Sequence, residues 1–251
     1  GGRPRFCRGP QFGLHRGVRA RCDECEPRIR DHPARDLPHL PVCVAALGLA
    51  ARCLRDIGVP HEARLIAQDA LTLFRNTGGT EAISELASIL PAAGVLVSLG
   101  AASDLSDIMA SLTGSIEGQL EGIDDPSGGI LAIKSRVVLE RNPAVAVALA
   151  RQVLDRKETA LSWSRARHLL HAATTLIAAS DDRAKEAIVS VYQVAADRRF
   201  RLLRMEAGLL GEQLGMTGEL VDEAHTILAQ LDHELGSPEG FRERWLGNAR
   251  R

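Results

Sequence analysis

The chain has 251 residues, 45% of them hydrophobic but only 3% aromatic, and a formal net charge of -1. That length can bury a large core or stack about five or six helix pairs. The near-neutral balance argues against a dominant electrostatic attraction to nucleic acid or anionic lipid. With so few rings, the interior has to be built from Ala, Leu, Val and Ile, whose small side chains let helices approach closely. No apolar run approaches the roughly 18 residues a membrane span needs. The amino terminus, Gly-Gly-Arg-Pro, carries neither an initiating Met nor a secretory apolar segment, so the sequence reads as a cytoplasmic fragment or processed piece of a longer protein.

Residues 1 to 40 are rich in Arg, Pro and Gly and lack apolar periodicity, so they are expected to form a poorly ordered linker outside the core. Cys22-Asp23-Glu24-Cys25 has the two-residue spacing of a zinc knuckle, in a segment that also holds Cys7, His15, His32 and His39; Cys7 and His15 would have to complete the tetrahedral set. The second Cys pair of a zinc ribbon is absent, so an Arg-rich linker with incidental cysteines is favoured over a zinc site. Five cysteines, an odd number, do not suggest a disulfide framework.

From Pro41 to Ile57 the apolar residues Val44, Leu47, Ala50, Ala51 and Leu54 fall on one helical face. Gly58-Val59-Pro60 stops that helix and starts a second, Glu62 to Phe74, with Ala63, Ile66, Ala67, Ala70, Leu71 and Phe74 inward. A third helix is expected from Thr80 to Leu90, with a kink or a new helix at Pro91. Ser103 or Asp104 should cap the next, which buries Leu105, Ile108, Met109, Leu112 and Ile116. Residues 114 to 129 are dense in glycine and read as a loop, with a hinge between two halves as the sharper alternative.

Further helices are expected over Ile130–Arg141, Pro143–Arg156, Thr159–Ala179, Arg183–Arg198, Arg201–Leu214 and Glu219–Leu235, then a short closing helix bearing Phe241, Trp245 and Leu246. Asn142-Pro143, Ser180-Asp181-Asp182 and Thr217-Gly218 mark helix starts roughly 37 to 39 residues apart, the length of a helical hairpin in a repeat array. No segment alternates with period two. The expected fold is therefore all-α, with antiparallel hairpins stacked in chain order over residues 41–248.

The order Leu47, Ala50-Ala51, Leu54, Ala63, Ala67, Ala70-Leu71 resembles the tetratricopeptide repeat, although Ala50 and Ala67 are smaller than usual and the closing Pro is absent. Later pairs resemble it more loosely, through Ala172 with Ala184 and through Ala146, Ala150, Val153 and Leu154. HEAT-like pairs, with a period near 40, are the nearest competitor. The resemblance implies an α-solenoid of the kind attached to an ATPase, kinase or cyclase in large bacterial regulators. It also implies that the first helix of each pair lines a concave face, which nominates Arg136, Arg165, His168, Arg201 and Arg204 for a peptide or effector groove.

Catalytic motifs are missing: there is no phosphate-binding glycine loop, no Ser elbow and no His-Glu-x-x-His helix. His168 with His171, and Asp222 with His225, could form a metal site only if their helices faced one another. Cys43 and Cys53 read as buried small hydrophobes, and Trp163 and Trp245 as packing anchors. The expected function is a non-catalytic helical-repeat interaction or sensor domain without a cofactor. Its partner would be a protein or peptide segment or another domain of the same polypeptide, with no nucleic acid and no membrane. The alternative is a small helical enzyme or metal-binding protein that uses the amino-terminal Cys/His cluster or the His/Asp helices.

Overall fold

The computed structural model describes residues 40–76, 83–111, 126–156, 163–197 and 199–235, all within the unit that spans residues 39–251. The cysteines and histidines before Leu40, the glycines between 114 and 122, Leu112, Ile116 and the closing helix with Phe241, Trp245 and Leu246 lie outside the described residues. The helices are α1 (Leu40–Asp56), α2 (Pro60–Asn76), α3 (Ile83–Ser98), a 3-10 turn (Ala102–Leu105) leading into α4 (Ser106–Ser111), α5 (Pro126–Val138), α6 (Pro143–Asp155), α7 (Trp163–Ala178), α8 (Ala184–Asp197), α9 (Arg201–Gln213) and α10 (Glu219–Leu235). There is no strand among the described residues, and the fold is all-α. None of these helices is long and apolar enough to cross a membrane.

Helix ends are set by local chemistry. Asn142 accepts a hydrogen bond from the Val145 amide at 3.2 Å, and Pro143 follows at the first helical position, which together start α6. Asp181 accepts from the Arg183 amide at 3.0 Å ahead of α8. Five helices end in the same left-handed turn. After α1, Gly58 (φ 80°) lets the Gly58 and Val59 amides return to the Arg55 and Leu54 carbonyls at 3.0 and 2.8 Å. Gly100 after α3 and Gly215 after α9 repeat this, and so do Ser180 after α7 and Arg199 after α8, although neither is glycine.

Four expectations change or narrow. Helix α3 runs unbroken through Pro91, where a restart was one of the options. A proline inside a helix forfeits one backbone hydrogen bond, and here its ring packs on α1, where a Cβ built on Gly48 would stand 3.1 Å from Pro91 Cβ and 2.8 Å from the Ala92 amide nitrogen. The loop or hinge read over 114–129 does not include its last residues: Pro126 opens α5, and Gly128 and Gly129 are helical. Proline is pre-set for the first helical position, which outweighs the glycines behind it. Neither Ser103 nor Asp104 caps a helix; both lie inside the 3-10 turn, whose cap position is Ala101, yet Leu105, Ile108 and Met109 are buried as expected. Cys53 is exposed, because the buried face of α1 runs through Leu40, Val44, Gly48 and Ala51 and leaves it on the far side, while Cys43 is half-buried.

Packing follows chain order. Helix α1 packs on α2 and α3, α5 on α6, α7 on α8, and α9 on α10, while α2, α6 and α8 also touch α3, α7 and α9 respectively. The helices that begin each pair touch in sequence, α1 with α3, α3 with α5, α5 with α7 and α7 with α9. One apolar cluster joins α1 to α4 with Ile130 and Ile133 of α5; the next takes Ala132 of α5 together with α6 to α9. Helix α5 therefore serves both, and a third, smaller cluster closes α9 on α10. Ala172 and Ala184 are both buried in the second cluster.

Candidate functional site

Helix α7 is buried on almost every side, yet its first turns carry Arg165, Arg167, His168 and His171. Charged groups survive burial only with partners, and each of these residues finds a different environment. Arg165 turns back to α6, donating to the Val153 and Arg156 carbonyls at 2.8 and 2.9 Å. It satisfies the open carbonyls at that helix end and lines neither of the cavities described below.

Arg167 points the other way, into an ion cluster that spans the chain. Glu206 of α9, 4% exposed, receives hydrogen bonds from Arg167 Nη1 at 3.0 and 3.1 Å and from Arg55 Nη1 of α1 at 2.7 Å. Arg55 also donates to Asp56 at 2.9 Å, and Arg167 Nη2 lies 3.5 Å from the same carboxylate oxygen. Burial pushes the Glu206 carboxyl up, but the Arg167 and Arg55 guanidiniums outweigh it and hold the group below the usual glutamate value. For Arg167 burial wins over Glu206, and its pKa is lowered; for Arg55 burial is outweighed by Glu206 and Asp56, and its pKa is raised.

Two adjoining cavities open beside this cluster. The first, about 200 Å³, lies between α1, α3, α5 and α7; Arg52, Arg55, Trp163 and Arg167 form a cationic wall, and Leu90, Pro91 and Val95 an apolar one. The second, about 230 Å³, is reached by Arg55, Arg136, His171, Thr174, Glu206 and Gln213. The Arg52 guanidinium stands 4.0 Å and that of Arg167 4.8 Å from the Trp163 ring centre, a cation–π arrangement. Trp163 is thus half-buried on a cavity wall and is more than the packing anchor expected of it. Glycines make room for the imidazoles: a Cβ on Gly129 would come within 2.8 Å of His168 Nε2, and one on Gly94 within 3.2 Å of His171 Nε2. Burial, reinforced by the Arg167 and Arg55 charges, puts His171 well below the usual histidine value, so it is neutral at pH 7.

Arg136 of α5 donates to the Thr174 carbonyl at 3.3 Å, its Nε has no hydrogen-bond partner, and burial lowers its pKa. Around the two cavities the four guanidiniums of Arg52, Arg55, Arg136 and Arg167 face two carboxylates, Asp56 and Glu206, so positive charge is in excess. Of the nominated groove residues the structure brings Arg136 and His168 to the cavities. It places Arg201 at the surface against Gln230 and Glu234, and Arg204 against Glu223 and beside the Tyr192 ring. Both pair with acidic residues of α10, and neither lines the two cavities.

His168 and His171 do not meet Asp222 and His225; His225 pairs with Glu212 at 3.2 Å, and Asp222 is exposed on α10. No metal-binding group of three or more His, Cys, Asp or Glu occurs among the described residues, while Cys7, Cys22, Cys25 and His15 lie outside them. Sequence reasoning missed Arg52, Arg55, Arg167 and Glu206. A signal existed for the last: Glu206 stands directly between Met205 and the apolar stretch Ala207 to Leu210, where a charge demands a buried partner. Compared with family models, curated proteins and solved structures, the chain gives no significant match.

Proposed function

We propose that the chain is a non-catalytic helical-repeat interaction or sensor domain, an α-solenoid of tetratricopeptide-like hairpins belonging to a larger cytoplasmic regulator. It holds an acidic protein segment or effector in the groove lined by α1, α3, α5, α7 and α9. Binding there shifts how successive hairpins stack, and stacked repeats transmit such a shift along the array.

The observation that carries this reading is the surplus of guanidinium at the two cavities. Helices that begin at residues 40, 83, 126, 163 and 201 recur at intervals of about 40, as hairpin repeats do. Four of those five helices line the first cavity, two of them, α1 and α7, supplying its charged and imidazole side chains. An acidic side chain entering the second cavity meets Arg136, which has no carboxylate partner among the described residues. Charge-assisted hydrogen bonds to such a group are stronger than neutral ones.

Selection of binders from a displayed random-peptide library tests the reading. Recovered segments are expected to be enriched in Asp and Glu, and Arg136→Gln should weaken them by about tenfold or more. Recovery of segments without acidic residues, or affinities indifferent to Arg136→Gln, would overturn it.

A further inference from the structure

Arg167 is 8% exposed, and two of its buried donors, Nε and Nη2, have no hydrogen-bond acceptor. Buried polar atoms are nearly always satisfied in folded proteins, so these two stand out. They belong to a side chain that lines the first cavity. Across the same wall Arg52 rests on the Trp163 ring and has no carboxylate partner among the described residues. Glu206 is already shared between Arg55 and Arg167, and Asp56 reaches Arg167 only at 3.5 Å. The internal acids therefore leave the cation pair Arg52 and Arg167 under-neutralised at the point where the cavity opens.

Opposite them the wall is apolar, made by Ala87, Leu90, Pro91 and Val95 of α3 with Ile133 of α5. Gly94 and Gly129 keep it clear of side chains beneath the two imidazoles. At about 200 Å³ the cavity is smaller than the roughly 300–1,000 Å³ that accepts drug-sized ligands. It fits a compact molecule or end group. We infer that this cavity is an effector site for a small organic acid, a single carboxylate or phosphate on a compact apolar body. The anionic head is held by Arg52 and Arg167, and the body lies between Trp163 and the α3 wall. The inference deepens the groove reading above by naming the chemical class of one occupant, and it rests on that reading.

The nitrogens of neutral His171 can accept or donate one further hydrogen bond, but the charge recognition falls to the guanidiniums. A bare anion would satisfy Arg52 and Arg167 while leaving the apolar wall unused. A neutral ligand of the same shape would fill the wall and leave the charges as they are. The site therefore discriminates in two directions.

Isothermal titration calorimetry on the full chain tests this with benzoate, phenyl phosphate, benzamide and inorganic phosphate as probes. One-to-one binding of benzoate or phenyl phosphate is expected, with benzamide and inorganic phosphate each at least about tenfold weaker. Arg52→Gln should weaken the acid by about tenfold; Arg52 makes no ion pair among the described residues, and thermal unfolding of the variant shows that it is folded. Filling the apolar wall with Ala87→Leu should also abolish binding, with thermal unfolding recorded to show that the variant is folded. No binding of either acid at about 10 mM, equal binding of benzamide or of inorganic phosphate, or an unchanged affinity in Arg52→Gln would overturn the inference. Acidic-peptide binding without acid binding sinks this inference and leaves the groove reading standing. Acid binding without peptide binding supports it and confines the groove to small effectors.

Discussion

Glu206 lies 4% exposed between the Arg55 and Arg167 guanidiniums, and that position sets its energetics. Removing one member of a buried pair costs far more than the pair itself contributes, because the remaining charge is stranded. Glu206→Ala should therefore destabilise the protein by about 3–5 kcal/mol in denaturant titration. His171 adds a pH dependence of defined sign. Its folded pKa lies well below the ordinary value, from burial and then from the neighbouring Arg167, Arg55, His168 and Arg136. Between the two values the unfolded chain binds more protons, so stability falls as pH drops below about 6.5. His171→Gln should flatten that part of the pH–stability curve, as thermal unfolding between neutral and mildly acidic pH would reveal. Glu206 acts lower, since its lowered pKa contributes stability above the ordinary carboxylate range that is lost as pH falls through the folded value. Arg136 and His168, nominated from the sequence because they sit on helices that begin a pair, line the two cavities. Arg165, two positions before Arg167, was not separable from it, since a 200° turn of the helix decides which one meets α6 and which meets α9.

Helix boundaries were legible wherever a side chain caps or a proline opens, as at Asn142-Pro143 and Pro60, because those signals are local. Pro91 was not, since its tolerance depends on Gly48 of another helix. The same reasoning applies where α9 meets α10. A Cβ on Gly208 would stand 2.5 Å from the Leu220 carbonyl oxygen, backbone that cannot swing aside. Gly208→Ala should cost about 1–3 kcal/mol or more, with loss of the α9–α10 contact visible as faster hydrogen exchange in α10. Arg199 offers the opposite case. It ends α8 with φ at 57°, a conformation that strains an L side chain. Arg199→Gly should raise the melting temperature by about 1–4 °C once the greater unfolded-state freedom of glycine is subtracted.

Across the described residues, the all-helical architecture followed from periodicity and composition, because Ala-rich stripes at three- and four-residue steps admit no sheet. What periodicity could not supply is which helices meet at long range. The apolar clusters pass from neighbour to neighbour through α5, and among the described residues the ion cluster joins α1 to α9 directly. Arg55 and Glu206 are 151 residues apart in sequence and 2.7 Å apart in space. The cavities, the surplus charge beside them and the effector site inferred there all depend on that meeting. A double-mutant cycle of Arg55→Ala and Glu206→Ala, followed by chemical denaturation, measures it directly. Side chains in contact couple by about 0.5–3 kcal/mol, whereas distant ones add to within about 0.3–0.5 kcal/mol. The account predicts a coupling of at least about 1 kcal/mol; additivity of the two substitutions would contradict it, since α1 and α9 would then not share a site.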